Sequence, residues 1–208
     1  MLGRARRRDQ GDTLIEVLFA VTVFSLLAVG ALMIMNQGTA SAQRSLEITL
    51  VRQQIDAQAE ALRYLHGSYV AAYRPGLSYD LTDSVTSPAE EWYKLTTSSA
   101  QTGVEASPFG GSAVDCPTAP EKSFIINPQT VRYASGTVLK PATTSSKLVY
   151  GAGKMSLSSA QGIWIEAIRQ PAKGTSAGYI DFHIRACWPT LGQSVPMTTG
   201  TIVRLYEP

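Results

Sequence analysis

The chain has 208 residues, 44% hydrophobic and 16% charged, which is enough for one medium domain and a membrane segment but excludes two full-size domains. Its formal charge is +2, yet four of the 18 basic residues (Arg4, Arg6, Arg7, Arg8) stand in the first ten, beside the single acid Asp9. Past residue 11 there remain 14 basic and 15 acidic residues, which excludes a basic nucleic-acid-binding face spread over the domain; no acidic tail is present either.

The first predicted element is a membrane helix. From Val17 to Met35 runs "VLFAVTVFSLLAVGALMIM", nineteen residues without charge or proline, interrupted by Thr22, Ser25 and Gly30. As a helix it measures about 28 Å, close to the hydrocarbon thickness of a bilayer. The arginines before it, against Arg44 as the next basic residue after it, place the N-terminus in the cytoplasm and residues 36–208 outside. A secretory signal peptide has a shorter apolar region and a small-residue cleavage site, for which "GTASAQ" at 38–43 is the one candidate. A plain signal anchor explains the arginines and the apolar run but not Glu16, because an ionised side chain in hydrocarbon costs roughly 2.5 kcal/mol or more.

The helical pattern continues past the apolar run. Leu46, Leu50, Val51, Ile55, Ala59, Leu62 and Leu65 recur at spacings of three and four, with charged residues between them. Gly38-Thr39 is the weakest point. Unbroken from Thr13 to Leu65, such a helix is roughly 80 Å long, half of it for lipid and half offering an apolar stripe to a folded domain.

Residues 67–160 are rich in Ser, Thr, Gly and Pro, with turn signals at "RPGLS", "SPFGGS", "CPTAP" and "GAGK". They read as a loop-rich connection with short strands at 123–127, 130–134 and 147–151. The last fifty residues carry three stronger strands, "GIWIEAIRQ", "GYIDFHIRACW" and "GTIVRLYE". In the middle one Ile180, Phe182, Ile184, Ala186 and Trp188 alternate with Asp181, His183, Arg185 and Cys187, the pattern of a half-buried antiparallel strand with Cys187 on its polar face. Such a meander would pack its apolar face on the outer half of the long helix. The cysteines are Cys116 and Cys187; in an exported domain they form one disulfide, in a cytosolic one two free thiols.

The stretch "GDTLIEVLFA" at 11–20, behind the arginines and ahead of the apolar run, resembles the N-terminal signature of type IV prepilins and pseudopilins. The resemblance covers about thirty residues and implies a leader, Met1 to Gly11, removed on the cytoplasmic face by a prepilin peptidase that cuts between Gly11 and Asp12. It implies N-methylation of Asp12 and a pairing of Glu16, fifth in the mature chain, with the N-terminal amine of a neighbouring subunit. The family usually starts its mature chain with Phe or Met, so Asp12 departs from the pattern and sets methylation apart from cleavage.

The fold class implied is α+β and pilin-like: a long N-terminal helix packed on a C-terminal antiparallel meander. The division expected is leader 1–11, transmembrane helix 12–35, extracytoplasmic helix 36–66 and globular domain 67–208. The function implied is structural, a minor pilin in a filament outside the cytoplasmic membrane, at the cell surface. Its partners would be the prepilin peptidase, other pilin subunits, the membrane assembly platform and lipid, with no cofactor, metal or nucleic acid. A pseudopilin of a type II secretion or competence machine, or an unprocessed membrane-anchored binding protein, stands as the alternative.

No motif argues for an enzyme. His66 and His183 have no ligand spacing around them. "YGAGKMS" has Leu148 where a phosphate loop needs its first glycine, the serines of "TTSSAQTGVEASPFGG" form no nucleophile elbow, and no N-glycosylation sequon occurs.

Overall fold

A computed structural model describes residues 12–79, 87–109, 115–153, 155–190 and 193–208, with the side chains of Asp12 and Thr13 outside the description. The chain divides into two units, Met1–Leu46 and Glu47–Pro208.

The described part of the first unit is the start of helix α1, Asp12–Ala72. Its apolar side chains, from Leu14 to Met35, are exposed on all sides of the helix, as a segment solvated by lipid requires. The polar interruptions are satisfied locally: Thr22 Oγ1 donates to the Phe19 carbonyl at 2.8 Å and Ser25 Oγ to the Val21 carbonyl at 2.7 Å. Each hydroxyl thereby enters the apolar run without an open hydrogen bond. Helical structure persists through Gly38-Thr39, where Thr39 Oγ1 donates to the Asn36 carbonyl at 3.0 Å.

In the second unit α1 continues to Ala72, past the expected end at His66. One glycine, Gly67, costs a helix only about 1 kcal/mol, whereas Pro75 and Gly76, at φ +81°, end it decisively. The core stripe is narrower than the sequence suggests. Val51, Ile55, Ala59, Leu62 and Leu65 are buried, while Leu46 and Leu50 are 60% and 50% exposed. Leu50 lies about 100° around the helix from Val51, which turns it off the packed face.

The sheet under this helix has six strands among the described residues, in the order β3-β2-β7-β8-β9, with β1 beside β7. They are β1 Ala100–Thr102, β2 Phe124–Asn127, β3 Arg132–Ser135, β7 Ile163–Gln170, β8 Tyr179–Trp188 and β9 Met197–Tyr206. Strands β7, β8 and β9 form the expected meander, in register from Gln170 opposite Tyr179 and from Tyr179 opposite Tyr206. A second sheet, β4-β6-β5, is made of β4 Leu139–Lys140, β5 Lys147–Tyr150 and β6 Leu157–Gln161. This is the α+β, pilin-like arrangement expected, and the three weaker strands at 123–127, 130–134 and 147–151 fall on β2, β3 and β5.

Helix α2, Pro88–Ser99, stands in the stretch that reads as loop and short strands. Ser87 caps it, accepting from the Glu90 N–H at 3.2 Å, and Pro88 occupies its first turn. It buries Trp92 and Leu95 in the core, with Trp92 5.4 Å from the Phe182 ring. Glu91 binds it to the sheet edge by accepting the Tyr133 N–H at 2.6 Å and pairing with Arg132 at 3.3 Å.

A fully buried glutamine docks α1. Gln58 donates from Nε2 to the Ile126 carbonyl at 2.7 Å and accepts the Ile126 N–H at 2.8 Å, while Gln54 Oε1 accepts the Leu148 N–H at 3.0 Å. One turn apart, the two amides attach the helix to the backbone of both sheets. Replacing Gln58 by Met keeps its length but leaves both Ile126 groups unpaired, and is expected to cost about 2–4 kcal/mol. Gln53→Met on the exposed face should shift denaturant midpoints little, and equal losses for both would refute the docking role.

Candidate functional site

The assembly determinant expected from the sequence lies at the start of α1. The leader and Gly11, the expected cleavage residue, fall outside the described residues, as does the side chain of Asp12. The backbone is helical from Asp12 onward, so a chain cut after Gly11 would carry its new amine at the helix N-terminus. Glu16 follows one turn later, exposed among exposed apolar neighbours. No described residue pairs with it. It is the single ionisable residue between Leu14 and Met35, so nothing later in that run can neutralise it in lipid. What the geometry presents is an apolar rod with one carboxylate near its end, open to an ammonium supplied from elsewhere.

The cysteine pair lies in the second unit. Cys116 and Cys187 form a disulfide with Cα atoms 5.6 Å apart and a sequence separation of 71. In the chain-entropy model a closed loop of this size contributes roughly 4 kcal/mol. Cys187 is fully buried, which corrects its place on a polar strand face. The alternation expected of β8 holds through its first half, where Asp181 and His183 are partly exposed, and fails in the second, where Arg185 and Cys187 are buried as well.

The cause is the segment 103–109, which lies over that face. The Ser107 N–H donates to Glu166 Oε2 at 3.0 Å, and Arg185 Nη1 donates to the Ser107 carbonyl and to Glu166 Oε1, each at 2.6 Å. Trp164 Nε1 adds a donor to Glu166 Oε1 at 3.3 Å, and the guanidinium sits 5.0 Å from the Phe109 ring centre. Beside this buried pair, burial and then the Arg185 charge hold the His183 pKa below its usual 6.5. Next to the disulfide, Gly162 adopts φ +64°, where a Cβ would meet the Cys187 carbonyl at 2.3 Å. Its carbonyl accepts from the Cys187 N–H at 2.8 Å and from Ser146 Oγ at 2.9 Å, so the two sheets meet there at backbone distance.

The sequence reading missed α2 and the Glu166–Arg185 pair. The helix had a local signal, the Ser87-Pro88-Ala89-Glu90 start, which the surrounding Ser/Thr-rich composition obscured. The buried pair had none, since a charge on the outer side of a strand reads as solvated. His66 lies inside α1, its Nε2 2.8 Å from the Tyr206 carbonyl and its ring edge-on to Trp92. Among the described residues no group of three or more His, Cys, Asp or Glu converges to hold a metal.

Comparison with curated proteins and with solved structures finds no match. A family model does match at the N-terminus, across Arg6, Arg7, Arg8, Gly11, Glu16 and most of the apolar run. Over residues 6–32 the chain carries the prokaryotic N-terminal methylation motif, the type IV pilin signature.

Proposed function

We propose that this chain is a minor pilin, a structural subunit held in the cytoplasmic membrane with its N-terminus inside and residues 36–208 outside. Prepilin peptidase cuts it after Gly11, Asp12 is N-methylated, and the assembly platform adds it to a type IV pilus or related filament alongside other pilin subunits. One observation carries the reading: the signature at 6–32 coincides with an exposed apolar run, Leu14 to Met35, whose one carboxylate, Glu16, finds no partner among the described residues. A neighbouring subunit's N-terminal amine is the partner that cleavage creates. The loop-rich exported domain supports a minor rather than a bulk subunit, and Glu16 supports a place below the filament tip. Intact-mass and N-terminal analysis of the protein extracted from membranes is expected to find a chain beginning at Asp12. An intact leader, or a cut after Ala42, would sink the reading.

A further inference from the structure

We propose that the second unit carries a saccharide-binding cleft at the C-terminal end of α1. The cleft has a volume of about 380 Å³ and is lined by Tyr69 of α1, Tyr73 just after it, Trp92 and Tyr93 of α2, Arg169 of β7 and Glu207 after β9. That volume lies in the range of small-molecule sites. Its walls are aromatic: Tyr69 and Tyr73 have ring centres 5.9 Å apart, and Tyr93 sits 5.5 Å from Tyr79.

Among the described residues the hydroxyls of Tyr69, Tyr73 and Tyr93 have no hydrogen-bond partner. They also converge. Burial first, then the neighbouring Tyr73, Tyr93 and Tyr79 phenols and the Glu207 carboxylate, raise the Tyr69 pKa above its usual 10.0. Arg169 and Glu207 pair at 3.0 Å, placing a guanidinium and a carboxylate at the rim.

These groups select the ligand class. Phenol hydroxyls both donate and accept, and a guanidinium and a carboxylate each span the two oxygens of adjacent sugar hydroxyls. The C–H face of a pyranose ring fits a flat aromatic face. An ammonium ligand fits less well, because Arg169 already neutralises Glu207 and the rings meet at tilts of 58° rather than as the walls of a box. The inference stands on this cleft alone and does not depend on filament assembly.

The test is calorimetric titration of the full-length protein, in a detergent carrying neither sugar nor choline, with maltotriose, chitotriose, galactotriose and tetramethylammonium. At least one trisaccharide is expected to bind saturably. Tyr73→Ala and Tyr93→Ala should each weaken it by about tenfold, Tyr73→Phe by less, and Tyr64→Ala, outside the cleft, not at all. Near-ultraviolet circular dichroism keeps folding separate from binding. The proposal is overturned if the folded wild-type protein binds none of the three sugars, if tetramethylammonium binds in their place, or if Tyr73→Ala leaves sugar binding unchanged.

Discussion

Glu16→Ala is expected to be cleaved after Gly11 like the wild-type chain and to fall by about tenfold or more in sheared filament fractions, a loss of about 1.4 kcal/mol or more in assembly. The direction is informative because the substitution should favour the membrane state. Removing a carboxylate from an exposed position in an apolar helix relieves roughly 2.5 kcal/mol of insertion cost. A variant held better by lipid yet incorporated worse cannot owe its defect to poor anchoring. The remaining explanation is a contact that exists only between subunits. Immunoblots of membrane and sheared fractions, with intact mass reporting cleavage, read both quantities on one sample. Wild-type incorporation of Glu16→Ala would refute the pairing role. Asp12→Asn is the companion variant, since it removes the second acid near the same amine while leaving Glu16 in place.

The second large effect lies in the domain. Arg185→Met should destabilise it by about 3–5 kcal/mol, because it strands Glu166, whose side chain is only 2% exposed, without its cation. Adding Glu166→Gln should recover most of that loss. The amide oxygen can still accept from the Ser107 N–H, which now bonds Oε2, so that only the longer Trp164 Nε1 bond to Oε1 is given up, and no buried charge remains. Urea denaturation of the full-length chain in micelles, followed by tryptophan fluorescence, measures both variants. If the double variant is no more stable than Arg185→Met, the uncompensated charge is not the source of the loss. Segment 103–109 then rests on Phe109, whose ring lies 5.8 Å from Trp164, and on the disulfide beyond.

Features written in short-range pattern were legible without coordinates. The length of the apolar run, the distance from Gly11 to Glu16, and the period-two alternation of Ile180, Phe182 and Ile184 each depend on residues a few positions apart, so local spacing identifies them. The motif match at 6–32 rests on the same kind of information. What depends on distant chain coming to lie over a surface was not legible. Arg185 and Cys187 have the spacing of a solvated strand face until Ser107 and Cys116 cover it. Gln58 reads as one more polar helix residue until Ile126 presents its backbone to it from 68 positions away. The aromatic cleft draws on α1, α2, β7 and the C-terminal end, and no one of these segments marks it. Sequence alone thus determined the membrane helix and its carboxylate, because hydrophobic length and charge position act locally. Tertiary packing decided which polar groups are buried and which aromatics stay open, because burial is set by whatever else in the chain arrives there.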